Sequence, residues 1–212
     1  DFKSDKINCN AIVKGQAKYP FIYNKRLYYF VITGDTSVLW SSKTDGTDKK
    51  EVGELEFPIY ESGEYVLHDD SVFVASYKAV ITEQGTNKQE QTGADAEVYQ
   101  INLADGKAGK LTEFGNKADA YCSTVQFFDN KLFVRYESRG KTYKEAGFED
   151  VDHFMVWMES DKFSYAEQIE RLDEKKEYYT YDFKTKKTEK FDIGFESNFE
   201  PYKGIKNMDG AY

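Results

Sequence analysis

The sequence contains few of the residues that build metal sites and disulfide frameworks. Its 212 residues include 2 cysteines and 2 histidines. Cys9 and Cys122 form no CxxC pair, so a structural zinc site has no ligand set, and we expect neither a metal nor a cofactor. The cysteines can be two buried thiols or one disulfide. Free thiols are favoured, because Cys9 lies in a terminal segment with no evident reason to approach Cys122.

Catalytic motifs and long apolar runs are missing as well. The chain has no GxSxG nucleophile elbow, no P-loop and no HExxH helix, which leaves isolated carboxylates as the only basis for proposing catalysis. No apolar run approaches the ~18 residues that span a bilayer. We therefore expect a soluble chain that reaches a membrane only through an anchor outside it.

Positive charge is in short supply. The 29 Lys and Arg residues against 38 Asp and Glu residues give a net charge of −9, which repels the phosphate backbone of a nucleic acid at long range. The lysine-rich stretch KTKKTEK at 184 to 190 is expected on a turn and an edge strand, where lysines hinder pairing with other strands. No nucleic-acid partner is expected.

Aromatic residues, by contrast, are abundant. The chain has 17 Tyr and 16 Phe, an aromatic fraction of 17%, a charged fraction of 32% and only 3 Pro. Aromatic residues favour strands, and sheets with one aromatic and one charged face have this composition. The composition predicts a globular all-β protein.

A hairpin pattern occurs four times along the chain. An apolar strand, two or three turn-forming residues and a strand opening with an aliphatic and an aromatic residue are found in FIYNKRLYYF from 21, YVLHDDSVFV from 65, QFFDNKLFVR from 126 and KGIKNMDGAY from 203. Asn, Asp and Gly in the turns tolerate the left-handed conformations of tight hairpins. Each copy therefore predicts a β-hairpin.

A second hairpin pattern follows each of the first three copies. It is found in VLWSSKTDGTDKKEV from 38, EVYQINLADGKAGKL from 97 and EYYTYDFKTKKTEKF from 177. Two hairpins make a four-stranded antiparallel sheet, and repeats of such sheets are typical of propeller blades. A meander or sandwich also has alternating strands with Gly and Asn turns. Recurrence of both hairpins in the same order favours the propeller.

We predict an all-β fold, a β-propeller of four-stranded antiparallel blades with three full blades and the start of a fourth. The predicted boundaries are an N-terminal segment at 1–18, blade 1 at 19–57, blade 2 at 63–114, blade 3 at 122–193 with an insertion at 138–176 that holds a short helix, and the first hairpin of blade 4 at 200–212. Propellers usually need about 4 to 8 blades to close a ring. The remainder of the propeller is therefore an expected partner.

Two phrases of the repeat carry a resemblance to a known family. YNKRLYYF and LWSSKTDGTDKKEV resemble repeats of the β-propeller domains of unknown function in Gram-positive surface lipoproteins, which are similar to YWTD and TolB-like propellers. The resemblance covers about residues 19 to 212, and the long insertion of the third blade departs from it. It implies binding or scaffolding, and an extracellular, cell-surface-attached location. No functional residue can be transferred by motif.

The predicted functional face is the rim that carries the long loops. The turns inside the hairpins are short and share the opposite rim, whereas the connections between second and third strands lengthen from TGDTS at 33 through TEQGTNKQEQTGAD at 82 to residues 138–176. Long loops on a rigid scaffold are where binding sites usually lie. The candidate binding residues in the third loop are Tyr143, Phe148, Asp152, His153 and Trp157.

The third loop also allows local predictions. SDKFSYAEQIERLDEKK at 160 to 176 has amphipathic helical spacing, with Ser160 or Asp161 as its N-cap. It can be a lid or partner contact, or can merely cover its own blade. HFMVWM at 153 to 158 alternates like a strand, which predicts that His153 is solvated or locally hydrogen-bonded beside an aromatic strand. Trp157 and its aromatic neighbours can stack on a sugar or a peptide.

Three functions fit these features. The favoured one is a non-enzymatic cell-surface binding or scaffold propeller that recognises protein or carbohydrate through its long-loop rim. The alternative is a propeller-type glycoside hydrolase or lyase, whose pore would hold two carboxylates about 5 to 10 Å apart. A sensor module on a membrane anchor is a third possibility, which only flanking sequence would reveal.

Overall fold

The computed structural model describes residues 17–60, 64–84, 88–160 and 163–191, which are mostly β-strand. The first sheet contains β1 (Ala17–Tyr23), β2 (Arg26–Thr33), β3 (Thr36–Lys43) and β4 (Lys50–Leu55), hydrogen-bonded in that order. Next come β5 (Tyr65–His68), β6 (Ser71–Ala75), β7 (Lys78–Gln84), β8 (Lys88–Asp95), β9 (Val98–Asn102) and β10 (Ala108–Lys110). The last elements are β11 (Asp119–Phe128), β12 (Lys131–Arg139), α1 (Val151–Met158), α2 (Tyr165–Leu172), β13 (Glu174–Asp182) and β14 (Lys187–Lys190).

These strands form three four-stranded antiparallel sheets. The first is β1-β2-β3-β4, the second β5-β6-β9-β10 and the third β11-β12-β13-β14, and β7 pairs with β8 in a separate hairpin. The predicted all-β fold of four-stranded antiparallel blades is confirmed. The hairpin predicted at 200–212 and Cys9 lie outside the described residues. Cys122 is a free, buried thiol.

Short turns join the paired strands as the repeat predicted. Asn24 and Lys25 between β1 and β2, and Asp129 and Asn130 between β11 and β12, all have positive φ values of 45° to 63°. Two successive left-handed residues define the two-residue hairpin turn whose twist matches that of the strands. Asn and Asp adopt this conformation at low cost.

The three sheets stack because the middle one is apolar on both faces. All five residues of β6 are buried. Val72 and Val74 belong to a core shared with the first sheet, whereas Phe73 and Ala75 belong to a core shared with the third. Successive side chains of a strand point to opposite faces, so one strand supplies both cores. Because each sheet shares a core with the next one along the chain, the three sheets are consecutive blades.

The insertions differ from the prediction in three places. HFMVWM is not a strand: it lies in α1, which begins after an Asp150 N-cap. The second helix is confirmed, but Ser164 caps it rather than Ser160 or Asp161. The stretch from 82 to 95, expected as a loop, contributes to the β7–β8 hairpin. Neither described helix is long and apolar enough to cross a membrane.

The first two blades touch backbone to backbone at a pair of glycines. A Cβ added to Gly53 in β4 would lie 2.8 Å from the Cα of Gly106, in the turn between β9 and β10. Such a distance is too short for two carbon atoms, so the blades must separate if either residue gains a side chain. This contact fixes how closely the outer edges of the two blades approach.

We predict that Gly53→Ala lowers the free energy of unfolding by about 1–3 kcal/mol through overpacking. Gly109→Ala is the matched control, because Gly109 also lies in a strand and a Cβ there meets nothing within 4 Å. The control should be neutral or slightly stabilising, since alanine restricts the unfolded chain. Urea unfolding of both variants measures the difference. Equal stability of the two would contradict the close approach.

Candidate functional site

The long-loop rim of blade 3 carries an insertion, residues 140–173, whose ends are joined by the sheet. The amide of Gly140 donates to the carbonyl of Asp173 at 3.1 Å, and that of Lys141 to Leu172 at 3.1 Å. Leu172 is fully buried. A Cβ at Gly140 would lie 2.2 Å from the Asp173 carboxylate, so a side chain there would displace that carboxylate. The insertion is therefore anchored at both ends.

The local sequence explains where α1 begins and which of its sides is buried. The Asp150 carboxylate accepts a hydrogen bond from the backbone N–H of His153 at 2.8 Å, which caps the helix. Phe154 and Trp157, one turn apart, share a side of the helix and are half-buried. The opposite side leaves apolar residues in solvent: Val151 is 51%, Met155 47% and Val156 69% exposed.

Capping residues define both ends of α2. Ser164 and Glu167 form a reciprocal capping box, in which each side chain bonds the backbone N–H of the other residue. Asp173 ends the helix in the left-handed conformation with a φ of 50°. Burial of Leu172 in the last turn holds α2 against its blade.

Four aromatic rings and one arginine join the two helices into an insertion cluster, defined as Phe148, Phe154, Trp157, Phe163 and Arg171. The Phe148 ring centroid lies 5.4 Å from that of Phe154 and 5.1 Å from that of Trp157, and Phe163 stacks on Trp157 at 4.2 Å. Rings at these separations attract each other beyond simple burial. The cluster gives the insertion a small core of its own.

Arg171 holds this cluster from the side of α2. Its guanidinium carbon lies 3.9 Å from the Phe148 ring centroid and 5.0 Å from that of Trp157. Its Nε also donates to the carbonyl of Ala146 at 3.0 Å. One side chain therefore combines two cation–π contacts with a backbone hydrogen bond.

A surface groove runs along the cluster. It has a volume of about 470 Å³ and is lined by Lys141, Glu145, Ala146, Trp157, Phe163, Glu167, Glu170 and Arg171. Hydrogen bonds from Thr142 hold the pKa of the Glu145 carboxyl below its ordinary value, and those from Ser164 do the same for the pKa of Glu167. The groove thus combines a stacked aromatic floor with an acidic margin.

The predicted binding residues separate into two groups. Phe148 and Trp157 belong to the insertion cluster, and Tyr143 lies at its edge, with its ring centroid 6.4 Å from that of Phe154. Asp152 and His153 are exposed, and the His153 ring contacts Asp150 at 2.9 Å. The groove does not include these two residues.

Sequence reasoning did not assign Arg171 and Phe163 to the site. Phe163 stands directly before the S-x-x-E capping box, a position that marks the chain's entry into a helix. The predicted helix at 160 to 176 already placed Phe163 near α2, but not against Trp157. The contacts of Arg171 with Phe148 and Trp157 are made by folding and have no local sequence signal.

A polar network joins β11, β12 and β13 of blade 3. Tyr121 donates to Glu137 at 2.8 Å, and Arg139 contacts Asp119 at 3.4 Å and Glu174 at 4.0 Å. Among the described residues, no group of three or more His, Cys, Asp or Glu side chains is arranged to hold a metal ion.

Comparison with known proteins gives distant structural similarity only. No protein-family model and no curated protein sequence matches the chain. The structure of YjhT is 12% identical with a TM-score of 0.45, over 82% of this chain and 50% of that chain. A mutant of the apocarotenoid oxygenase of Synechocystis is 12% identical with a TM-score of 0.44, over 87% of this chain and 41% of that chain. The chain thus spans half or less of these two structures.

Replacing Arg171 tests whether the cluster holds the insertion together. Arg171→Met keeps the apolar stem but removes both cation–π contacts and the bond to Ala146. We expect local opening to be favoured by about 1–1.4 kcal/mol, which corresponds to cleavage of the insertion by thermolysin about 5- to 10-fold faster. Lys141→Met, at the other cation of the groove, should leave the cleavage rate unchanged. Equal rates for the two variants would contradict the role of Arg171.

Proposed function

We propose that the chain is a non-enzymatic binding or scaffold propeller domain that recognises a protein partner through the blade 3 insertion. The observation that carries this proposal is the outer side of α1, which exposes Val151, Met155 and Val156. The other side of the same helix carries Trp157 of the aromatic groove. A folded protein gains nothing from presenting these side chains together to water, and such patches often mark interaction surfaces.

The groove adds the chemistry that a partner would meet. Its Trp157 and Phe163 rings offer apolar and π surface, and Glu145, Glu167 and Glu170 offer carboxylates. A lysine or arginine flanked by large apolar residues fits the groove, because its charge meets the carboxylates while its neighbours pack on the rings. A partner segment that continues over α1 would also cover the apolar residues on the outer side of that helix. Protein segments carry this combination, whereas neutral carbohydrates lack the cation and large apolar side chains.

The resemblance of the repeat segments supports a proposal for the location of this domain in the cell. Domains with phrases like YNKRLYYF and LWSSKTDGTDKKEV are found in Gram-positive surface lipoproteins similar to YWTD and TolB-like propellers. We infer an extracellular, cell-surface-attached protein.

The alternative of a propeller-type glycoside hydrolase or lyase would draw on carboxylates of the polar network in blade 3. Asp119 and Glu174 are such carboxylates, and both lie against the guanidinium of Arg139, at 3.4 and 4.0 Å. An ion-pair role accounts for both of them. The exposed side of α1 has no such internal role, which is why binding is the better-supported function.

The test uses peptides and glycans as probes. Wild-type protein is applied to a peptide array in which Lys or Arg is flanked by Leu or Phe, and to a glycan array. We expect peptide binding that Val156→Asp weakens by about tenfold or more, because it puts a charge in the apolar contact. Ile22→Asp is the matched control: Ile22 is 64% exposed but lies beside the β1–β2 turn on the opposite rim.

Two results would refute the proposal. One is binding to glycans but to no peptide. The other is peptide binding that Val156→Asp and Ile22→Asp reduce equally. The fluorescence of Trp157 in a Trp40→Phe background provides a solution check, since ligand seated on the groove must change the environment of that indole.

A further inference from the structure

A second and larger cavity lies between blades 2 and 3, away from the insertion groove. It has a volume of about 550 Å³, within the range of about 300–1,000 Å³ typical of small-molecule sites. One wall is Lys110 of β10 and the connection that follows it, and the other consists of residues of β12, β13, β14 and the turn between β13 and β14. We call it the interblade groove, defined by Lys110, Phe114, Lys117, Tyr136, Tyr179, Lys186, Thr188 and Lys190 among its lining residues.

The interblade groove is locally basic in a protein of net charge −9. Four lysines line it against two acidic residues, Glu113 and Glu177. Lys190 pairs with Glu177 at 2.7 Å. Lys117 and Lys186 make no ion pair with any residue in the described part of the chain. Two ammonium groups are therefore available to an anion.

The buried hydroxyl of Tyr136 is a second, independent indication of a ligand-binding site. The residue is only 1% exposed, yet its phenolic oxygen is buried without a hydrogen-bond partner among the described residues. A buried hydroxyl without a partner costs about 1–3 kcal/mol, and native proteins rarely tolerate one without a reason. Tyr136 lines the groove, and a small shift of its side chain would bring this enclosed hydroxyl to a polar group bound there.

The wall from blade 2 is held in place by a buried carboxylate. Glu97 is fully buried and accepts hydrogen bonds from the Thr112 hydroxyl at 2.5 Å and the Phe114 amide at 2.9 Å. Lys110 contacts the same carboxylate at 3.1 Å. These bonds fix the connection after β10, so that the groove is formed before any ligand arrives.

The two walls are also joined directly. The Thr188 hydroxyl in β14 donates to the carbonyl of Leu111 at 2.6 Å. The Phe114 ring stacks on Tyr136 at 4.1 Å and contacts Tyr179 at 4.7 Å between centroids. The groove thus has aromatic residues among its lining together with the two lysines without ion pairs.

We propose that the interblade groove binds an acidic sugar, a polyhydroxylated ring carrying a carboxylate or a phosphate. The anionic group meets Lys117 and Lys186, a ring hydroxyl bonds the phenol of Tyr136, and the apolar face of the ring lies against Phe114 and Tyr179. Lysines suit both anions because each is a point charge without the planar fork of arginine. This site is separate from the insertion and does not rest on protein recognition there.

Calorimetric titration with four small molecules tests the proposal. Glucuronate and glucose 6-phosphate carry the two possible acids, glucose is neutral, and inorganic phosphate lacks the ring. We expect at least one acidic sugar to bind about tenfold or more tightly than both glucose and inorganic phosphate, the size expected for a lost charged hydrogen bond. Whether glucuronate or glucose 6-phosphate binds more tightly identifies the anion.

Tyr136→Phe separates a ligand contact from a structural role. It removes only the unpartnered oxygen, so the free energy of unfolding should be unchanged or higher, while binding of the acidic sugar weakens by about 3- to 10-fold. Lys117→Gln should weaken binding of acidic sugars but not of glucose. Lys50→Gln, on exposed β4 of blade 1, is the control and should change nothing.

Three results would overturn the proposal. They are glucose binding as tightly as the acidic sugars, inorganic phosphate binding as tightly as glucose 6-phosphate, and the absence of binding to all four molecules. Unchanged binding in both Tyr136→Phe and Lys117→Gln would also overturn it. Lys117→Gln still tests the proposal if Tyr136→Phe fails to fold.

Discussion

Burial of β6 on both faces is the constraint on which the described structure depends. Antiparallel sheets commonly have one face in water, but β6 has none, since Val72 and Val74 face the first blade and Phe73 and Ala75 the third. At about 25 cal/mol per Å² of apolar surface removed from water, exposing either face would remove much of the stabilisation of the middle blade. Each blade is therefore stable only beside its neighbours.

Blade stacking also determines where binding surfaces can form. The space between two blades becomes a groove where a connection such as 111–117 runs along the next sheet, and a loop can grow outward only at the rims. The interblade groove and the insertion are these two kinds of surface. One is basic and held by the buried Glu97, and the other is acidic at its margin, so the two are suited to different ligands.

The repeats made the sheets predictable because hairpin signals are local. Turn residues such as Asn24 and Asp129 and the alternation around them suffice to specify paired strands. HFMVWM was misassigned because six residues fit a period of 2 as easily as one of 3.6. The N-cap Asp150 and the acidic Asp152 in the first turn are the local signals that indicate a helix here.

The site residues could be predicted only in part. Aromatic density pointed to Phe148 and Trp157, whose rings do meet. The partners of these rings depend on tertiary contacts: Arg171 reaches them from a second helix, and Tyr136 lies between two blades. The lysines of the interblade groove come from two different blades. No local pattern brings such residues together, because the packing of sheets decides which segments become neighbours.

Hydrogen exchange of the backbone amides tests the central role of β6 most directly. Edge strands such as β1 and β14 open by local fraying, whereas β6 can open only when the stacked blades separate. We predict that the amides of Val72–Val74 are among the slowest to exchange and that their exchange approaches the free energy of global unfolding. Exchange of these amides as fast as that of β1 and β14 would contradict the stacking of three blades around β6.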